Sequence, residues 1–309
     1  MPEPSPSASS APSREPLDGP ALATALTSDS TLWRSLEVVP EIGSTNAALL
    51  AAAADDAPEG TVLVAEHQVT GRGRLDRVWT SPPRAGLTLS LLLRPDVPAA
   101  RRGWLPLLTG VALAESVRGV TVSFLLRPDV PGARRGWLPL LTGVVLAEAV
   151  GEVPGVRTSL KWPNDLLAAG GAKLAGILAE VGSGAVVVGV GLNVSTRADE
   201  LPDTATSLAL EAGRPVDRAA VLLQFLRGFE RRYLAWAQTL GDPVSSGLAR
   251  DYLAWCSTVG SAVVVTLPDG STLEGVAESV DWDGRLVVRT AEGVVELASG
   301  DVRHLRSPM

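Results

Sequence analysis

Gly71-Arg72-Gly73-Arg74-Leu75-Asp76-Arg77-Val78-Trp79 is the stretch that decides how the rest of the chain is read. Two glycines space three arginines closely along the backbone. Glycine turns the chain at little steric cost and lets it approach a ligand. Arginine offers a planar, permanently charged fork for carboxylate and phosphate oxygens. Such a loop reads as a cationic lid that orders around an acid or a phosphate. It lacks the Gly-Lys-Ser/Thr ending of a Walker A loop.

Outward from this loop the chain alternates strands and helices. Trp33 to Val39 reads as a strand, and Ser44 or Thr45 caps the Ala/Leu helix that runs to Ala54. Thr61 to Glu66 is a second strand that delivers Gln68 and then the lid. Leu87 to Leu93 is continuously apolar, as in a strand covered on both faces. Ser159 to Trp162 is a strand halted by Pro163, so that Asn164 and Asp165 are presented at its end. Gly170-Gly171 marks a hairpin whose returning strand carries Lys173-Leu174-Ala175-Gly176-Ile177-Leu178-Ala179-Glu180. Ala185 to Val194 follows, with Gly189-Val190-Gly191-Leu192-Asn193 inside it. Helical spacing marks residues 215–238 and 243–255. Beyond Gly260 four short strands, 262–267, 272–280, 286–290 and 294–297, are parted by Pro-Asp-Gly, Asp-Trp-Asp-Gly and Glu-Gly turns, the pattern of a small antiparallel barrel.

An internal repeat interrupts this order. Residues 88–120 and 121–153 align at an offset of 33, with 26 of 33 positions identical. Each copy is a strand followed by an amphipathic helix. Because the lid is followed at once by the first strand, and Ser159 is preceded by the second helix, the surplus is expected at about 98–130. One of Trp104 and Trp137, not both, is expected in the buried site. The Arg101-Arg102 and Arg134-Arg135 pairs read as surface residues at helix starts.

Composition bounds the function. A chain of 309 residues with 46% hydrophobic content sustains a core, and two domains are expected. A net charge of −7 argues against a general nucleic-acid binder. One cysteine, Cys256, allows no internal disulfide and suits the cytoplasm. His67 and His304, the two histidines, lie far apart, and no Cys/His cluster suggests zinc. No apolar run of about 18 residues is present, so no membrane span is expected. The first 16 residues, rich in Pro, Ser and Ala, have no signal-peptide core and read as disordered; the tail is drawn to 29, with a short helix at 18–28. The lid arginines with Lys161 and Lys173 suit an anion of more than one charge, and Asp165 suits a divalent cation or an incoming amine. With no Ser-His-Asp or Cys-His set, positioning and charge stabilisation are the expected chemistry.

Four motifs together resemble the biotin–protein ligases: Gly71 to Trp79, Lys161-Trp162-Pro163-Asn164-Asp165, Lys173 to Glu180, and Gly189 to Asn193. Their order and spacing match over about residues 30–305, apart from the duplicated block. The resemblance implies an α+β fold, a mixed β-sheet flanked by helices (30–255) followed by an SH3-like β-barrel (256–309). It implies two reactions in one pocket: biotin and Mg2+-bound ATP give biotinyl-5'-AMP, then a lysine of a biotin carboxyl carrier protein domain of an acyl-CoA carboxylase attacks it. Ser44, Thr45 and Gln68 are implied to face the biotin head group, with Asn46 beside them. Arg72, Arg74 and Arg77 are implied to enclose the carboxylate and phosphates on the Gly71 and Gly73 backbone, with Trp79 anchoring the lid. Lys161, Asn164 and Asp165 are implied to serve the nucleotide or its metal, Lys173 the reacting acyl-phosphate, and Gly176, Gly191 and Asn193 to line the pocket. A monomer or homodimer is implied, without a membrane or nucleic-acid partner, since repressor members carry an N-terminal winged helix for which this chain has no room. Competing readings are a lipoate–protein ligase of the same fold and a biotin-binding module disabled by its duplication.

Three departures stand out. Asp76 puts a negative charge among the lid arginines. Residues 205–210 hold no aromatic for adenine to stack on. The repeat falls between the lid and the Lys-Trp-Pro-Asn-Asp strand. Because none of the motifs lies beyond 256, the barrel is expected to be separable from the pocket's basic chemistry.

Overall fold

Two apolar strands form the centre of the molecule. Gly86–Leu93 and Ala185–Asn193 are buried at every position, because helices cover the sheet on both sides. The computed structural model describes residues 14–71, 81–93, 132–183 and 185–305. Within them the first sheet comprises β1 (Ser35–Val39), β2 (Thr61–Ala65), β3 (Gly86–Leu93), β4 (Thr158–Lys161), β5 (Asp165–Ala168), β6 (Lys173–Gly182) and β7 (Ala185–Asn193). Its order is β1-β2-β3-β7-β6-β5-β4. Only the β1–β2 pair is parallel, so the sheet is mixed.

Helix α1 (Gly19–Thr27) packs on β1, where Gly19 leaves room for Val38. The tail therefore ends earlier than expected: residues 14–29 are built into the fold, capped by Asp18 and tied down by an Arg14–Glu200 ion pair at 2.5 Å. Helix α2 (Thr45–Ala54) covers one sheet face, with Leu50 against Gly182 and Asn46 bonded to Glu180. Helix α3 (Trp137–Gly151) covers the other face. Nearly all its positions are buried, and Gly143 lets it approach Leu160 and Ile177. After α3 the chain adds α4 (Leu208–Ala212), α5 (Arg218–Gln238) and α6 (Leu248–Trp255). The last two begin later than the periodicity suggested, because Asp217 caps α5 and Pro243 and Gly247 delay α6. Short α4, started by the Ser207 cap, carries no periodicity long enough to read.

Of the duplicated block, the strand in the sheet is the first copy's and the helix α3 is the second copy's. Trp137 is buried; Trp104 lies outside the described residues.

The second sheet holds β8 (Ala262–Thr266), β9 (Thr272–Val280), β10 (Leu286–Thr290), β11 (Gly293–Leu297) and β12 (Asp301–His304), in the order β11-β10-β9-β8-β12. Strand β12 was not legible in the sequence, being four residues long and following no Pro or Asn turn. This sheet is docked on the first domain through direct contacts. Trp162, buried at the end of β4, donates through Nε1 to the Gly284 carbonyl at 3.1 Å. Trp137 donates to the Trp282 carbonyl at 2.9 Å. A Cβ on Gly136 would sit 2.1 Å from the Asp283 carbonyl oxygen, so the two backbones touch directly. Among the described residues no helix is long and apolar enough to cross a membrane.

Candidate active site

The parallel pair β1–β2 sets one end of the site. Beyond the strands the two chains keep pairing: Ile42 N–H donates to the His67 carbonyl at 3.1 Å, and Val69 N–H to the Ile42 carbonyl at 3.0 Å. This pairing brings Gln68 against the start of α2, whose Ser44 cap accepts from Ala47 N–H. Gln68 Oε1 accepts from Thr45 N–H at 2.7 Å and from Thr45 Oγ1 at 2.9 Å. With the oxygen so fixed, Gln68 Nε2 must point away. It is buried and has no hydrogen-bond partner among the described residues. Such an orphaned donor costs about 1–3 kcal/mol unless a ligand oxygen takes it.

Sheet register lays out the floor. Residues directly opposite across the strands share a face, and one such row is Ala65, Thr88, Gly191, Gly176, Asp165 and Lys161. Gly191 and Gly176 lie side by side and offer bare backbone in mid-row. With strands about 4.8 Å apart, β2 to β6 spans about 14 Å, room for an elongated ligand lying flat across the glycines.

Lys173 reaches this floor by an irregularity. It stands three residues from Gly176, so regular alternation would turn it to the opposite face. The register of β5 and β6 shifts between Leu166 and Leu167, setting Leu167 opposite Lys173. A bulge of this kind re-aims a side chain. The lysine lies over Gly176, whose Cβ would be 3.4 Å from both Cε and Nζ. Its Nζ is 2.5 Å from Asp165 Oδ1. The Asp165 carboxylate, expected to hold a divalent cation, is thus engaged by Lys173. Among the described residues no group of three His, Cys, Asp or Glu side chains forms a metal site. That donor set fits Mg2+ arriving on phosphate oxygens, which needs only one or two carboxylates.

Other expected site residues are tied into the fold around the floor. Asn164 closes the turn after β4, donating Nδ2 to the Ile177 carbonyl at 3.0 Å while accepting from Ile177 N–H at 2.8 Å. Asn193 donates to the Thr206 carbonyl at 3.0 Å, and Thr206 N–H donates to the Lys173 carbonyl at 2.9 Å. Asn46 is buried against Glu180. Gly71 is buried beside Gln68 in sequence; Arg72, Gly73, Arg74, Asp76, Arg77 and Trp79 lie outside the described residues.

The sequence reading missed one cluster. Arg218 is buried and donates to Glu66 Oε2 at 2.7 Å, to the Gly86 carbonyl at 3.1 Å and to the Glu15 carbonyl at 2.7 Å. It joins the chain on both sides of the 72–80 stretch to residues 14–17. These partners are too far apart in sequence for any motif to show. Behind Lys161, Thr258 Oγ1 accepts from Trp162 N–H at 3.0 Å and lies 3.1 Å from His304 Nε2. Burial, and then the charge of Lys161, push the His304 imidazole below its ordinary pKa.

The profile of the Biotin/lipoate A/B protein ligase family matches residues 38–196, and that of the Biotin protein ligase C terminal domain matches residues 258–305. The chain is 41% identical to the biotin--[acetyl-CoA-carboxylase] ligase of Mycobacterium tuberculosis, over 95% of this chain and 97% of that protein. It belongs to the biotin/lipoate protein ligase family. The bifunctional ligase/repressor BirA of Bacillus subtilis is 33% identical over 80% of this chain and 67% of its own length. Among solved structures, the Aquifex aeolicus biotin protein ligase in complex with biotin and ATP aligns with a TM-score of 0.64 at 26% identity, covering 89% of this chain and all of that one. The expected fold of a mixed sheet followed by a small barrel is the fold of this family.

Proposed function

We propose that the chain activates biotin with ATP and transfers it to a lysine of a biotin carrier domain. The observation that carries the choice of acid is the orphaned Gln68 Nε2. The ureido carbonyl of biotin accepts such a hydrogen bond; the dithiolane ring of lipoate has no oxygen to offer. Biotin lies across Gly191 and Gly176 with its valerate chain directed at Lys173. A carboxylate oxygen attacks the α-phosphorus of ATP, the bond to the bridging oxygen breaks, and pyrophosphate leaves. Lys173 Nζ, held over Gly176 by Asp165, neutralises charge on the oxygens at the reacting centre. Asp165 and Lys161, at the end of the row, face the nucleotide, whose phosphates bring Mg2+ with them. In the second step the carrier's lysine amine attacks the acyl carbon. The amide forms, AMP leaves, and the amine proton passes to solvent. Arg72, Arg74 and Arg77 supply the charge that retains the adenylate. The acceptor is the carrier domain of an acyl-CoA carboxylase, and a reaction that consumes ATP belongs in the cytoplasm.

The test is pyrophosphate release by the purified protein with ATP and either biotin or lipoate, followed by biotin incorporation into a carrier domain. Release should require biotin and not respond to lipoate. Lys173→Ala should cut the rate roughly a hundredfold with the melting temperature kept. A Lys173→Ala rate near that of the parent would remove the lysine from the mechanism.

A further inference from the structure

We propose that His304, on the last strand of the barrel, is a positioning residue for the nucleotide end of the site. It acts through Thr258 on the Lys161–Asp165 turn, and the inference rests on the ligase reading above. Strand β4 ends at Lys161, and the next backbone amide, that of Trp162, donates to Thr258 Oγ1 at 3.0 Å rather than to a sheet partner. Thr258 is wholly buried. Its hydroxyl lies 3.1 Å from His304 Nε2 and can offer the ring its hydrogen. A neutral imidazole that keeps its proton on Nδ1 accepts it, and the lowered pKa agrees with that state.

Three observations make this more than packing. The amide so held starts the turn through Asn164, and that turn opens β5 with Asp165, the partner of Lys173. Lys161, next to the held amide, shares the pocket row with Asp165 and Gly176. His304 pairs with Val263 of β8, so the ring's place is set by the barrel. The position of the turn is thus fixed from a domain that carries none of the site motifs. Gln68, beyond the Ala65 end of the row, bonds to Thr45 at the start of α2.

Biotin affinity and Mg-ATP kinetics separate the two ends. His304→Leu removes the acceptor and His304→Gln restores one through its amide oxygen. His304→Lys keeps a long polar side chain but only donates. We expect His304→Leu and His304→Lys to raise KM for Mg-ATP roughly tenfold or more, with the biotin Kd within about twofold of the parent and the melting temperature nearly unchanged. His304→Gln should stay close to the parent in all three. Should the leucine variant fail to fold, the contrast between Lys and Gln carries the same reading. An unchanged KM for Mg-ATP in the Lys and Leu variants would overturn the proposal, as would a Gln variant as poor as Leu. So would biotin affinity falling in step with ATP. If the parent protein releases no pyrophosphate with biotin and ATP, the ligase assignment itself has failed.

Discussion

Gly176 has no side chain, and the space this leaves is occupied by Lys173. The lysine crosses it to reach Asp165, with Cε and Nζ at 3.4 Å from where a Cβ would stand. Alanine would touch that side chain; the γ-methyl groups of valine would displace it. Gly176→Val is therefore expected to lower the adenylation rate roughly a hundredfold. Stability should hold, because valine suits a strand. Biotin-dependent pyrophosphate release measured beside a thermal melt decides it, and an unaltered rate would mean the lysine does not need that path. Lys173, Asp165 and Gly176 were all legible as site residues in the sequence. Their placement on one face was not. Three-residue spacing puts Lys173 on the wrong side, and only the shifted register of β5 and β6 reverses it. Asn164 and Asn193 each donate to a backbone carbonyl, partners that no motif could show, because buried amide groups must be satisfied wherever the fold provides them.

At the scale of elements, one guanidinium joins three helices. Arg232 of α5 donates to Glu148 of α3 and to Asp251 of α6. Burial alone would raise the Asp251 pKa, but hydrogen bonds from Arg232 and Arg250 outweigh it and hold the carboxyl below its ordinary value. A folded-state pKa below the unfolded one gives stability that is present above about pH 4 and is lost as pH falls through the folded value. Asp251→Asn should thus cost roughly 1–3 kcal/mol near neutrality, and the gap to the parent should close in acid below about pH 4. Urea unfolding of both proteins across pH 2–7 measures it; a gap that stays constant to the acid end would show that the aspartate charge is not the stabilising agent. The helices themselves were legible, although α3, read as amphipathic, is buried at nearly all its positions. The meeting of Glu148, Arg232 and Asp251 was not, since periodicity gives a face and not its neighbour.

For the whole molecule the tandem repeat is the dominant question of architecture. Strand β3 comes from the first copy and α3 from the second. Removing residues 98–130 joins Val97 to Pro131, the same sequence step that each copy contains internally. Both elements survive that deletion intact. The shortened protein should melt at or above the temperature of the parent and ligate biotin at least as fast, since a shorter connection between β3 and α3 costs less closure entropy. A lower melting temperature together with lost ligation would show that both copies are needed. The repeat and four of the barrel strands could be read directly from the chain. The docking of that barrel could not, because nothing in the sequence tells that the indole nitrogens of Trp137 and Trp162 donate to carbonyls of the 281–284 turn.

The contact between Gly136 and that turn bears on inheritance. The two matched family segments end and begin far apart in sequence. Yet neither Gly136 nor Gly284 leaves room for a single added carbon: a Cβ would lie 2.1 Å from the Asp283 oxygen in one case and 2.7 Å from the Gly136 oxygen in the other. A recombination event that exchanged the barrel for a foreign one would have to bring a glycine turn of the same shape to the same spot. The two parts are therefore poor material for shuffling.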